Sequence, residues 1–253
     1  MADALDLIEP DWPAPARVRA AAATRAGGVS SGAFASLNLG GHVGDDAAAV
    51  RENRRRLARA LELPAEPRWL HQVHGTTVAT STSANAAGAT PTADAMLAAA
   101  PGQVCAVLTA DCLPILFCDE SGTCVAAAHA GWRGLAAGVL EATIAALGRA
   151  GAAPGSLLAW IGPGISGPAY EVGADVRETL LAANPAAEAG FAPNARGRWQ
   201  LDLAAIARRH LAAAGVSRVW GGDRCTFTDP ARFFSFRRDG TCGRQATLIW
   251  LSK

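Results

Sequence analysis

Apolar residues occur along this chain in two kinds of pattern, short uninterrupted runs and helical repeats. The runs predict strands, because a short apolar stretch bounded by turn residues is typical of a strand that is covered on both faces. Stretches with apolar residues three or four positions apart predict amphipathic helices. Because the two patterns alternate, we expect a chain of the α+β or mixed α/β type.

The predicted elements follow from these patterns. Strands are predicted at 69–73, 77–81, 104–109, 115–118, 124–128, 157–161, 216–220, 233–236 and 245–251, after an extended segment at 16–23. Helices are predicted at 45–63, 132–151, 175–183 and 202–214, and loops at 24–32 and 83–92. The runs at 104–109, 115–118 and 124–128 lie close together in the chain and are predicted to form the centre of the sheet.

Length and composition narrow the possible partners. The 253 residues are 50% apolar and 18% charged, so they can bury a substantial core, and we expect one domain over 1–253. A net charge of +1 with scattered arginines argues against nucleic acid as a partner, and the arginine run at 54–56 is predicted to be a solvated face.

The acidic start and the absence of a long apolar run argue against a signal peptide and a membrane span. Six cysteines without a CxxC pair indicate reduced thiols, so we expect a cytoplasmic protein and favour a monomer.

Three motifs supply side chains that bind metals. HQVHG contains His71 and His74, TADCLP contains Cys112, and AHAGW contains His129. Two imidazoles and a thiolate suit a zinc ion with an open position, at which a water can be activated. Cys112 and His129 are seventeen positions apart, which allows a strand, a turn and a return strand to bring both to one end of a sheet. The spacing does not force this, since buried His and Cys residues are often only core groups.

Other polar residues have a functional and a structural interpretation each. Arg133, at the start of a predicted helix, could bind an oxyanion or phosphate, or could be a surface arginine in an ion pair. Arg25 in the glycine-rich loop has the same two interpretations. Asp111 could orient a ligand or move protons, or could form a turn. His42 could contact substrate or cap a helix, whereas His210 is predicted to be solvated.

Taken together, the motifs resemble those of the YfiH family. These laccase-domain proteins are also described as multicopper polyphenol oxidoreductases, peptidoglycan editing factors and purine nucleoside phosphorylases. The resemblance is carried by TRAGGVS (24–30), SLNLG (36–40), WLHQVHG (69–75), TADCLPILF (109–117), AAAHAGWRGL (126–135), IGPGISGPAYEVG (161–173), GGDRCTFTD (221–229) and FFSFRRDG (233–240). It implies a central β-sandwich of mixed sheets flanked by helices, similar to a toxin deamidase with a Cys-His pair. It also implies that His74, rather than His71, joins Cys112 and His129 as a metal ligand.

The resemblance further implies zinc and activity on purine nucleosides. The implied reactions are phosphorolysis of adenosine, inosine, guanosine and methylthioadenosine, and deamination of adenosine, with a purine nucleoside and phosphate as partners. We assign Asp111 and Cys112 to catalysis, and Arg25, Asn38 and Arg133 to substrate or phosphate binding. A cluster of several coppers needs more imidazoles than the five of this chain, so the laccase label is disfavoured, although copper could occupy a single Cys-His-His centre.

Four alternatives remain open at this point. The protein could act on wrongly built peptidoglycan precursors, or oxidise phenols weakly with copper. It could instead be a Cys-His hydrolase in which His129 activates Cys112 as the nucleophile. Finally, it could be a binding module whose pocket does not turn over.

Overall fold

The computed structural model describes residues 5–80 and 90–252. The strands are β1 Leu7–Ile8, β2 Val18–Ala23, β3 Val78–Thr80, β4 Ala95–Ala98, β5 Val104–Thr109, β6 Leu113–Asp119, β7 Val125–Ala130, β8 Leu157–Ile161, β9 Glu171–Val172, β10 Phe191–Pro193, β11 Trp199–Leu201, β12 Arg218–Gly221 and β13 Gln245–Leu251. The helices are α1 Ala47–Ala60, α2 Trp132–Ala137, α3 Val139–Arg149, α4 Ala174–Ala183, α5 Leu203–Ala213 and α6 Phe236–Asp239. No helix within these described ranges has the length and apolar character needed to cross a bilayer.

The largest sheet has the strand order β12-β8-β6-β7-β4-β3. Every residue of β6, β7 and β8 is buried, because both faces of this sheet are covered, which explains their unbroken apolar runs. β12 pairs parallel with β8 and β3 pairs parallel with β4, whereas the other pairs are antiparallel. The sheet is therefore mixed, and its centre contains the runs near 115–118 and 124–128, as predicted.

A second, antiparallel sheet has the order β1-β2-β13-β5 and packs on the first. Val107 and Ile249 of this sheet share one apolar cluster with Leu116 and Trp160 of the six-stranded sheet. The outer face of the second sheet packs against α1 through Leu57. The opposite face of the first sheet packs against α3 and α5. The predicted central β-sandwich flanked by helices is confirmed.

The helix predictions hold with two corrections. α1 begins after Asp46, whose carboxylate accepts the N–H of Ala49 at 2.7 Å, as expected of an N-terminal cap. The single helix predicted from Trp132 is two helices, because Gly138 adopts a φ of +93° between α2 and α3. The prediction that His210 is solvated is wrong. The residue is 4% exposed, and its Nδ1 lies 2.6 Å from the Glu141 carboxylate, which joins α5 to α3.

Short or edge elements account for the strand differences. The stretch 69–73 is not a strand, and only the isolated bridge at His71 lies within it. The stretch 233–236 is not a strand either, since Phe236 begins α6. β4 and the three-stranded sheet β10-β11-β9 were not predicted, because strands of two to four residues show too little alternation to be recognised. The loop predicted at 83–92 lies mostly outside the described residues.

Candidate active site

The pairing of β6 with β7 brings Cys112 to His129. Pro114 is opposite His129 and Leu113 is opposite Ala130 in the register of the two strands. Cys112 directly precedes β6, so its thiol lies beside the end of β7. The two side chains therefore lie at the same end of these paired strands. The spacing predicted this arrangement of a strand, a turn and a return strand.

His74 reaches the same end of these strands from a turn, and not from the end of a strand as predicted. Its backbone φ is +61°, in the left-handed region that few residues other than glycine adopt. Its Nε2 lies 3.8 Å from Sγ of Cys112, and its ring centroid is 4.7 Å from that of His129. One ligand atom from each of the three side chains lies within 4.8 Å of the others, so together they could hold one metal ion.

Asp94, which the sequence analysis missed, organises this group. Its carboxylate is fully buried and accepts the backbone N–H groups of Val73, His74 and Gly75 at 3.1, 2.9 and 2.7 Å. The same carboxylate lies 2.9 Å from Nδ1 of His129. It thereby stabilises the left-handed turn and leaves Nε2 of His129 available to a ligand, as carboxylates behind metal-binding histidines commonly do.

The charges of the group are coupled. Burial would raise the pKa of the Cys112 thiol, but the two neighbouring histidines lower it to about 6. Burial would lower the pKa of His129, but the Cys112 thiolate and the Asp94 carboxylate raise it to about 9. Near neutral pH the apo-protein thus holds a thiolate next to an imidazolium. The thiolate is the form that binds metals.

Gly131 gives the donors the space they need. A Cβ at this position would lie 2.7 Å from Sγ of Cys112 and 3.0 Å from Cδ2 of His74. The first distance is too short for a real contact, so a larger residue would displace a donor. One thiolate and two imidazoles are ligands that both zinc and copper accept. The residues present therefore fit a transition metal ion.

The three donors form one wall of a pocket of about 410 Å³. We call it the metal-donor pocket. Its other walls carry three arginines and three aromatic side chains, namely Arg133, Arg237, Arg244, Trp132, Tyr170 and Phe236. Phe236 is 59% exposed at this pocket. Burial raises the pKa of Tyr170 to about 12, so its hydroxyl remains a neutral donor. The size is that of a site for a small organic molecule.

Comparison with known proteins identifies the family of this chain. Residues 19–252 match the family described as multi-copper polyphenol oxidoreductase laccase. The chain belongs to the YfiH, or laccase-domain, family. It is 55% identical to a purine nucleoside phosphorylase of Pseudomonas aeruginosa, over 96% of this chain and 98% of the relative. It is 50% identical to the purine nucleoside phosphorylase YfiH of Escherichia coli K12, over 97% of this chain and 98% of the relative.

Solved structures of similar proteins have the same fold. The crystal structure of a Neisseria meningitidis protein of the DUF152 family matches with a TM-score of 0.92 at 48% identity, covering 98% of this chain and 99% of that one. YlmD from Geobacillus stearothermophilus matches with a TM-score of 0.91 at 35% identity, covering 100% and 98% of the two chains. The mixed α+β architecture is therefore shared across the family.

The family description refers to several coppers, but the described residues offer one site. Between 5–80 and 90–252, the only group of three or more His, Cys, Asp and Glu side chains able to hold a metal is His74, Cys112 and His129. All five histidines of the chain lie in these ranges, and His42, His71 and His210 are not in the group. In this member of the laccase-domain family, the geometry supports a mononuclear centre.

Asp111 lines the metal-donor pocket with both carboxylate oxygens engaged. Oδ1 accepts the Thr226 hydroxyl at 2.7 Å and Oδ2 accepts the backbone N–H of Arg237 at 2.6 Å. These two contacts tie Asp111 to Thr226 and to the start of α6, which favours a role in holding α6 against the pocket. Arg133 is exposed and lines the pocket, with its guanidinium carbon 4.3 Å from the centre of the Trp132 ring.

Asn38, predicted to bind substrate, is not part of the metal-donor pocket. It is fully buried. Its amide nitrogen donates to Gly40 O at 3.2 Å and to the Asp45 carboxylate at 2.9 Å, while its oxygen accepts N–H groups of Gly40 and Arg244, both at 2.9 Å. Both ends of the amide are occupied by the protein itself. In this structure the Asn38 side chain therefore holds the segment 38–45 to the segment before β13.

Arg25 is also outside the lining of the metal-donor pocket, contrary to its predicted role at phosphate. Its Nε donates to Ala35 O at 2.9 Å and its Nη1 to Pro230 O at 3.1 Å. Its guanidinium carbon lies 4.6 Å above the centre of the Phe234 ring. The side chain thus joins the glycine-rich loop to the segment before α6. The cations missed by the sequence analysis, Arg237 and Arg244, are the ones that reach the pocket beside Arg133.

Proposed function

We propose that this protein cleaves purine nucleosides with inorganic phosphate and uses zinc held by His74, Cys112 and His129. The observation that carries the proposal is the meeting, in one pocket, of three metal donors with three arginines and three aromatic side chains. The relatives named purine nucleoside phosphorylase support the reaction class. The proposed substrates are adenosine, inosine, guanosine and methylthioadenosine.

The arginines supply the phosphate site. Arg133 and Arg237 line the metal-donor pocket, and Arg244 lines it from the segment before β13. Fixed guanidinium groups neutralise a phosphate and orient it, so that one of its oxygens can attack C1′ of the ribose. The oxygen–C1′ bond forms while the bond from C1′ to the purine nitrogen breaks. The electron pair of the broken bond remains with the purine, which takes a proton from water.

The aromatic side chains supply the base site. Phe236 offers an exposed ring on which a purine can stack. Tyr170 is held under Arg237, whose guanidinium carbon is 4.6 Å from the ring centre. Because the pKa of Tyr170 is raised to about 12, its hydroxyl is protonated at neutral pH and can donate to a purine nitrogen as negative charge develops there.

The metal would add a second chemistry. Bound to these three donors, zinc would supply a Lewis acid and lower the pKa of a water. Three protein donors, instead of the four of a structural zinc site, favour a catalytic centre. We therefore propose deamination of adenosine as a second reaction, in which water replaces the amino group at C6 and ammonia leaves. Asp111 serves both reactions by holding the start of α6 in place.

The test is product analysis with and without inorganic phosphate. We expect adenosine and inosine to yield free base and ribose 1-phosphate only when phosphate is present, and adenosine to yield inosine without it. Cys112→Ala is expected to lose stoichiometric zinc and both activities. Cys225→Ala, which removes a partly buried thiol outside the lining of the metal-donor pocket, is the matched control and is expected to retain both. Base release that is independent of phosphate, or full activity in metal-depleted Cys112→Ala, would contradict the proposal.

A further inference from the structure

A second cavity, of about 350 Å³, adjoins the metal-donor pocket. The two share His42, Gln72 and Leu108 in their linings, so the two cavities lie side by side. We call the second cavity the basic chamber, because its remaining lining includes Arg54 and His71. The function proposed above uses the metal-donor pocket alone and leaves this chamber without a role.

The basic chamber has an unbalanced charge. Three of its lining side chains, His42, Arg54 and His71, are basic, and none of the described lining residues is acidic. The stretch 81–89, which precedes the lining residue Thr90, contains no charged residue in the sequence. Partial burial and then repulsion by Arg244, His71 and Arg54 lower the pKa of His42, so this ring adds hydrogen-bonding capacity while Arg54 is the fixed cation of the chamber. Such a cluster favours an anion.

Arg54 is held in place, which corrects its prediction as part of a solvated face. Its Nε and Nη2 both donate to Leu39 O, at 3.0 and 2.8 Å. Its guanidinium carbon lies 4.0 Å above the Trp69 ring. Nε1 of Trp69 is buried and has no hydrogen-bond partner among the described residues. The chamber thus contains a cation held in position by two hydrogen bonds and a ring contact, which suits an oxyanion.

We propose that the basic chamber binds a phosphate group attached to the nucleoside, so that the full ligand is a nucleoside phosphate. Its base and sugar would occupy the metal-donor pocket, and its phosphate would lie against Arg54 and His71. The attacking phosphate already has Arg133 and Arg237 in the metal-donor pocket. A separate basic site beyond His42 and Gln72 therefore fits a second phosphate better than the first. The proposal rests on the proposed function only in taking a nucleoside as the ligand.

The test is equilibrium binding of three probes to the full chain by calorimetry, namely adenosine, adenosine 5′-monophosphate and inorganic phosphate. We expect the monophosphate to bind about tenfold more tightly than adenosine, which corresponds to about 1.4 kcal/mol. Arg54→Gln and His71→Ala are each expected to reduce this advantage at least about threefold, with adenosine affinity unchanged. His71→Ala removes a side chain that no described helix or strand needs, so it keeps the test valid if Arg54→Gln unfolds.

Arg55→Gln is the matched control. It removes the same charge one position along α1, where Arg55 pairs with Glu52 and does not line the chamber. Equal affinity for adenosine and its monophosphate would overturn the proposal, as would an advantage that survives both chamber variants. A chamber specific for free phosphate would overturn it too. In that case Arg54→Gln would weaken the binding of inorganic phosphate alone. These measurements require no turnover. A negative binding result can therefore be distinguished from an absence of phosphorolysis.

Discussion

The three metal donors and the glycine-rich loop both belong to unusual sequence motifs, but the two regions have different roles. In the first, His74, Cys112 and His129 direct their ligand atoms toward one another and line a pocket. In the second, Arg25 of the loop bonds to backbone oxygens of the protein, and Asn38 of the SLNLG segment that follows the loop bonds to its backbone and side chains. An unusual motif therefore does not distinguish catalysis from scaffolding.

The useful distinction is whether a polar side chain lines a cavity. A polar side chain whose hydrogen bonds are all made within the protein contributes to stability, since removing it leaves buried partners unpaired. A side chain that lines a cavity is available to a ligand even if it also bonds within the protein, as Arg237 does to Glu171 O and Arg244 to Cys242 O. Substitutions in the two regions should therefore separate stability from ligand binding.

The largest effect is expected for stability at Asn38. Asn38→Ala would leave the N–H groups of Gly40 and Arg244 without their acceptor, so we expect a loss of about 2–5 kcal/mol in the free energy of unfolding. Denaturant unfolding measures this loss. Asn184→Ala removes an exposed cap that accepts the N–H of Ala186 and should cost only about 1 kcal/mol. If folded Asn38→Ala bound zinc more weakly while its unfolding midpoint was unchanged, Asn38 would serve metal binding and not stability. That result would contradict the comparison.

The next effect is expected for metal affinity at Asp94. Asp94→Asn keeps the shape but weakens the contacts to His129 and to the turn at His74, so zinc affinity should fall about 10–100-fold, measured by chelator competition. Asp119→Asn is a close control, because Asp119 is also a buried carboxylate that accepts backbone N–H groups of a turn, here those of Thr123 and Cys124. It should lower stability and leave zinc affinity unchanged. An equal loss of zinc affinity in both variants would show that Asp94 acts only through the fold.

A smaller shift is expected in the reactivity of Cys112 without metal. Since neighbouring histidines lower its pKa to about 6, iodoacetamide should modify the metal-free thiol increasingly as pH rises through about 6, where the thiolate forms. In His129→Gln one positive partner is lost and burial raises the pKa, so the midpoint should move up by more than about one unit, or about 1.4 kcal/mol. His71→Gln should leave the midpoint unchanged. Mass spectrometry of modified Cys112 against pH measures both.

The sequence predicted those parts of the site that depend on local pattern. Cys112 and His129 could be placed together because buried runs flank a short turn, and the register of β6 and β7 brings them to one edge. Asp94 could not be recognised, since its partners lie about twenty and thirty-five positions away and no local pattern reports them. The burial of His210 was missed for the same reason: Glu141 lies on another helix, and the polar neighbours of His210 indicate a solvated face.

The smallest effect is expected for phosphate binding at Arg25, which tests the comparison most directly. Arg25 does not line the metal-donor pocket and donates to Ala35 O and Pro230 O, so Arg25→Gln should change the KM for phosphate less than about twofold while lowering stability by about 1 kcal/mol. Arg237→Gln removes a charge that lines the metal-donor pocket and should raise that KM about tenfold, or about 1.4 kcal/mol. Steady-state kinetics at varied phosphate gives both values. The opposite order would mean that the glycine-rich loop moves to the pocket when substrate binds, and that a position outside the cavity lining does not mark a structural residue.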